Sequence, residues 1–107
     1  MPDRSIKRAR ARWLQDAPRY VADVFDNRGR TWDRYDVLFT ETEGDQAQIL
    51  SMSMWPTHPQ GYSQWVHLDR WHTGGWRSRS ARYRVAWTSL PEHIREHVIH
   101  RYQDSTS

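Results

Sequence analysis

The sequence predicts an α+β domain, an antiparallel sheet of four to five strands packed against a C-terminal helix, with a short basic N-terminal helix at its edge. Three observations carry that expectation. The chain has 107 residues, enough for one domain and too few for two. Between Tyr20 and Met54, β-forming side chains alternate with polar ones around two turn-like tetrapeptides, Asp26-Asn27-Arg28-Gly29 and Thr42-Glu43-Gly44-Asp45. Near the end, Leu90, Ile94, Val98 and Tyr102 recur every four residues, the spacing of one helix face.

In chain order, Arg4 to Gln15 reads as a short helix, with Ile6, Ala9, Trp13 and Leu14 on one side and cations on the rest. Pro18 closes it. Tyr20 to Phe25 and Trp32 to Thr40 form a hairpin across the Asp-Asn-Arg-Gly turn, whose residues tolerate positive φ. In its second arm Tyr35, Val37 and Phe39 are expected to face the core, and Arg34, Asp36 and Leu38 to face away. A third strand over Gln46 to Met54 completes a meander. From Trp55 to about Ser80 the pattern breaks, with Pro56, Pro59, Gly61, Gly74 and Gly75 among four Trp and three His. That stretch is either an ordered loop near 55–81 or contains a further strand over Ser63 to Leu68. Tyr83, Val85 and Trp87 then alternate with Arg82, Arg84 and Ala86, a half-buried strand with an arginine face. Ser89-Leu90-Pro91-Glu92 fits a capping box for a helix from Leu90 to Gln103, followed by a frayed tail. The expected units are therefore a basic helix over 1–18, the sheet over 19–88, the helix over 89–103 and the tail over 104–107.

Composition narrows the function. There is no Cys, which excludes disulfides, thiol nucleophiles and Cys-based zinc sites. No apolar run approaches the roughly 18–20 residues of a membrane span, and no secretory h-region follows the basic N-terminus, so a cytoplasmic protein is expected with no membrane partner. Leu, Ile, Val and Phe are scarce while seven Trp and five Tyr are present, so aromatics must build much of the core.

Charge is segregated. The chain carries 16 Lys plus Arg against 13 Asp plus Glu, and Lys7 is the sole Lys. Arg suits planar, bidentate contact with phosphates, although genome composition alone also skews Arg over Lys. Arg4, Lys7, Arg8, Arg10 and Arg12 make the N-terminus basic, and Arg70, Arg77, Arg79, Arg82 and Arg84 occupy a stretch without acids. In that second stretch Trp71, Trp76 and Tyr83 interleave with the arginines, the combination that neutralises phosphates and stacks on unpaired bases. The same residue types seat protein partners, and core aromatics beside a solvated basic face are the plainer alternative.

Two further patterns bear on catalysis. His93-Ile94-Arg95-Glu96-His97 matches the H-x-x-E-H zinc pattern, and His58, His67 or His72 could add ligands from the loop. Inverzincin-like peptidases, however, place a third ligand well beyond the helix, and only ten residues follow His97. Asp23, Asp26, Asp33 and Asp36 surround the first hairpin, where carboxylates could hold magnesium; Asp26 is equally a turn residue, and Asp33 and Asp36 could pair with arginines. No GxGxxG, GxxxxGK or G-x-S-x-G spacing occurs, so no nucleotide cofactor and no α/β-hydrolase chemistry is expected.

The pieces Asp26-Asn27-Arg28-Gly29, Asp33-Arg34-Tyr35, Met52-Ser53, Pro59-Gln60-Gly61 and Leu90-Pro91-Glu92-His93 resemble those of a group of small uncharacterised bacterial and phage proteins. That group has an Asp-Asn-Gly-Gly hairpin, an Asp-Arg-Tyr strand and a Pro-Gln-Gly loop. The likeness covers Tyr20 to Tyr102; Arg28 stands where the group has its first glycine, and the basic N-terminus looks like an addition. The resemblance implies a phage or mobile-element setting, where small proteins act by binding. The expected function is thus a non-catalytic protein that contacts nucleic acid through its Arg and Trp surface. Two alternatives stand beside it: a protein-directed inhibitor or adaptor of a host system, of anti-defence type, and a metal-dependent hydrolase using His93, Glu96 and His97.

Overall fold

The computed structural model describes residues 16–43 and 46–106. Five antiparallel-paired strands form one sheet: β1 (Val21–Asp26), β2 (Tyr35–Glu43), β3 (Gln46–Met52), β4 (Ser63–Asp69) and β5 (Arg84–Val85), in the order β4-β3-β2-β1-β5. Helix α1 (Arg70–Ser80) follows β4, and α2 (Glu92–Thr106) ends the chain. The α+β architecture with its C-terminal helix is as expected. The basic helix expected over Arg4 to Gln15, with Arg4, Lys7, Arg8, Arg10 and Arg12, lies outside the described residues.

The sheet is buried on both faces rather than one. On the first, Tyr35, Val37, Phe39, Leu50 and Met52 pack with Leu90, Ile94, Val98 and Ile99 of the C-terminal segment. This is the face that the alternation of β2 predicts. Its rings form a row, Tyr20 stacked on Tyr102 with centroids 3.5 Å apart and Phe39 tilted against Trp65 at 5.1 Å. On the second face Phe25, Leu38, Ala47 and Ile49 pack beneath Trp76 of α1, together with Val66, Leu68 and Tyr83. Leu38 is therefore core and not surface, at 3% exposure.

Helix α1 replaces the irregular second half of the expected loop, while β4 forms where the strand alternative placed it. The sequence hides α1 because Gly74 and Gly75 lower its helix propensity and Trp76 is its main apolar contact with the sheet. What starts it is Asp69, whose Oδ1 accepts from the His72 N–H at 2.8 Å. What favours its end is Arg77 and Arg79 in the last turn, where cations complement the helix dipole. The chain leaves the sheet at the β4 edge and returns at the β5 edge, so α1 lies across the face between them.

Four boundaries differ from expectation. The expected long strand over 82–87 is a 3-10 turn at Ala81–Tyr83, a two-residue β5 and a second 3-10 turn at Trp87–Ser89. Trp32 to Arg34 belong to the hairpin turn, closed by Asn27 N–H donating to Arg34 O at 2.8 Å, so β2 begins at Tyr35. Helix α2 starts at Glu92 and not at Leu90, because the residue before a proline is held extended; Leu90 has φ −72° and ψ 140°. Ser89 therefore does not cap it. Ile94 and Arg95 N–H donate to Pro91 O at 3.0 and 3.1 Å. The helix continues through 104–106, expected to be a tail, with His100 and Asp104 3.2 Å apart across one turn.

Candidate nucleic-acid interface

The β1–β5 edge of the sheet, the C-terminal half of α1 and the first hairpin turn meet at one place, and all three carry arginine. Tyr83 is the junction. Its hydroxyl accepts from Arg30 Nη1 at 3.3 Å, and the Arg82 guanidinium lies 5.0 Å from its ring centroid. Beside it Asp23, which a strand irregularity turns toward α1, pairs with Arg77 and, at 3.4 Å, with Arg84. Asp26 pairs with Arg34 Nε at 2.7 Å and accepts from the Arg28 N–H at 2.9 Å. Burial works to raise the Asp26 carboxyl, but these bonds and the two guanidinium charges hold it below the usual carboxylate range.

Arg28, Arg30, Arg77, Arg79, Arg82 and Arg84 are all exposed. With Arg34 they set seven cations against Asp23 and Asp26. Among the described residues no carboxylate pairs with Arg28, Arg30, Arg79 or Arg82. The arrangement is a positive belt with a Tyr at its centre.

Of the arginines grouped by sequence reasoning, Arg77 and Arg84 meet at Asp23 and Arg82 lies over Tyr83, whereas Arg79 reaches back toward Gly75 of its own helix. Arg70 and Trp71 open α1, at the opposite end from that cluster. Trp76 is drawn into the second core cluster, edge-on to Phe25 with centroids 4.8 Å apart, so it is an anchor of α1 and not a stacking surface. Arg28, Arg30 and Trp32 were missed as site residues. Arg28 and Gly29 hold the turn at φ 56° and 79°, but no local pattern in the sequence shows that the turn reaches Tyr83. Trp32 is 93% exposed and Trp55 62%.

The histidine pattern does structural work elsewhere. His93 Nε2 donates to Met54 O at 2.9 Å and its ring stacks on Trp55 at 4.5 Å. His97 Nε2 and Ser63 Oγ share a hydrogen bond of 2.8 Å. Both rings thus tie α2 to the two ends of the 54–63 connection. Burial, with help from Arg101, His100 and His93, pushes His97 down to about 4. Among the described residues no group of three His, Asp or Glu converges as a metal site.

The four aspartates of the first hairpin likewise diverge. Asp33 accepts from the Tyr62 hydroxyl, and Asp36, 8% exposed, accepts from Ser51 Oγ at 2.6 Å and Asn27 Nδ2 at 2.8 Å. Among the described residues neither pairs with an arginine, contrary to that expectation. Burial pushes the Asp36 carboxyl above its ordinary range and the Asp33 charge adds to it, against the two hydrogen bonds.

No helix among the described residues is long and apolar enough to cross a membrane. No protein-family model, curated protein or solved structure matches the chain, so the likeness to the small bacterial and phage group rests on the quoted motifs alone.

Proposed function

We propose that the protein is a small non-catalytic nucleic-acid-binding protein of phage or mobile-element type, acting in the cytoplasm, whose arginine belt holds the phosphate backbone. The observation that supports this reading is the gathering of four exposed arginines from three separate segments, Arg30 and Arg82 on Tyr83 and Arg77 and Arg84 on Asp23, onto one edge. Arginine clusters neutralise phosphates and release counterions, which gives affinity that falls steeply with salt. The phage setting is supported by the motif resemblance.

The test is fluorescence anisotropy of labelled DNA and RNA at low and moderate salt. With about four phosphates contacted, log Kd against log salt should have a slope of about 3 for single strands and somewhat more for duplex. Arg79→Ala combined with Arg82→Ala should weaken binding and lower that slope by about one unit per lost contact. Absence of salt-dependent binding to every probe would remove the reading.

A protein-directed role, as inhibitor or adaptor of a host system of anti-defence type, is favoured by one separate observation, the exposed indole of Trp55 stacked on His93. Trp and Arg dominate interface hot spots, and an acidic protein would suit the belt. Co-purification from the host that recovers no partner would count against it.

A further inference from the structure

We propose that the Trp32 indole is a stacking platform for an unpaired nucleobase, so that the ligand of the belt is single-stranded nucleic acid; this rests on the nucleic-acid reading above. Large apolar rings find cover in folded chains because burying them is worth more than burying almost any other side chain. Trp32, at 93% exposure, has none.

The turn that carries it is fixed from within. Asn27 N–H donates to Arg34 O at 2.8 Å, and Arg30 N–H to Asn27 O at 3.0 Å. Asn27 Nδ2 donates to Asp33 O at 2.9 Å and to Asp36 Oδ2 at 2.8 Å, and Thr31 Oγ1 to Asp33 O at 2.8 Å. The backbone on both sides of the indole is therefore set before any ligand arrives, which lowers the ordering cost of binding.

The surroundings select the ligand class. Gly29, Arg30, Thr31 and Trp32 line an open hollow of about 380 Å³, in the range of ~300–1,000 Å³ typical of small-molecule sites. Its rim is cationic and polar, with Arg30 steadied by Tyr83. That rim mismatches an apolar protein surface or a lipid and suits a flat, aromatic group attached to phosphate. A base in a duplex has both faces covered by its neighbours; an unpaired base offers a free face, and stacking on it is indifferent to sequence. Trp55, stacked on His93, stands apart from this hollow and its arginine.

The test uses the full chain with a fluorescein-labelled oligothymidylate and a duplex of the same length, about 20 nucleotides, longer than one such site occupies. Trp32→Ala should weaken binding to the single strand by about 5- to 100-fold, while duplex binding stays near wild type. Trp32→Phe should recover most of the loss, because a phenyl face also stacks. The exposed position predicts an unchanged melting temperature in both variants, which separates stacking from damage to the fold. Wild-type binding that Trp32→Ala leaves unaltered, or weakens equally on both probes, overturns the platform and leaves the belt standing. No wild-type binding to either probe overturns both.

Discussion

Arg30 and Tyr83, 53 positions apart in sequence, meet through a hydrogen bond of 3.3 Å from Nη1 to the phenol oxygen. That contact joins the turn of the first hairpin to the 3-10 turn leading into β5, the edge strand beside β1, and the Arg82 guanidinium lies over the same ring. Tyr83→Phe keeps the ring and should cost at most about 1 kcal/mol. Tyr83→Ala also removes the cation–π contact and the ring's packing on the second core cluster, and should cost about 2–3 kcal/mol. Urea denaturation of the two variants reads the difference; equal losses would show that the ring does not bind the segments together.

Asp36 tests whether a buried carboxylate is needed for its charge or its shape. Asp36→Ala leaves the buried Ser51 hydroxyl without its acceptor, at about 1–3 kcal/mol, and takes from the half-buried Asn27 amide one of its two acceptors, Asp33 O remaining. Asp36→Asn can keep both contacts while removing a charge that burial disfavours, and should stay within about 1 kcal/mol of wild type. The expected order in chemical denaturation is wild type and Asp36→Asn together, with Asp36→Ala well below. The alanine variant should also loosen the turn that presents Trp32, since Asn27 is held by Asp36.

His97 makes stability depend on pH in a set direction. Its folded value, about 4, lies below the ordinary 6.5, so between these two values the unfolded chain binds the extra proton. Its contribution is therefore present above pH 6.5 and is lost as pH falls through about 4. Asp36, raised by burial, acts the opposite way, its contribution lost as pH rises through its elevated value. His97→Gln removes the first effect alone. Melting temperatures from pH 7.5 down to 4.5 should fall more steeply for wild type than for the variant, and parallel curves would refute the assignment.

Gly61 closes the Pro-Gln-Gly turn where a Cβ would lie 1.9 Å from Trp55 O. The obstacle is backbone, so the turn from Trp55 to Gly61 must open. Gly61→Ala should destabilise by about 1–3 kcal/mol, which for a chain of this size is a drop of about 4–8 °C in melting temperature per kcal/mol. A melting temperature equal to wild type would show the turn to be adaptable.

The meander was legible because β2 puts strong β-formers on a period of two between two turn-like tetrapeptides, after which β3 follows, and α2 because its apolar stripe is unbroken. The second layer was not. Asp36 looks like a solvent residue in a period-two pattern, and only its partners Ser51 and Asn27, distant in sequence, make its burial tolerable. Likewise the arginines of 77–84 could be grouped by proximity in the chain, but Arg30 joins them through a long-range contact to Tyr83 that no local pattern encodes. His93 and His97 match a zinc motif by spacing, yet what they bind is fixed by the 54–63 connection lying over them.

The crossing helix also has a kinetic consequence. Strands β1 to β4 are joined in sequence order and can form as successive hairpins, whereas β5 pairs Val85 with Val24 only after the chain has closed a long circuit around one face. Closing that circuit costs chain entropy before any contact rewards it. The meander is therefore expected to assemble first and α1 to dock late, so Trp76→Phe should accelerate unfolding and leave the folding rate near that of wild type; stopped-flow refolding checks this. Since Arg77, Arg82 and Arg84 reach the turn only through that last closure, the charged edge comes into being with the final step of folding, and chains that have not completed it lack the belt.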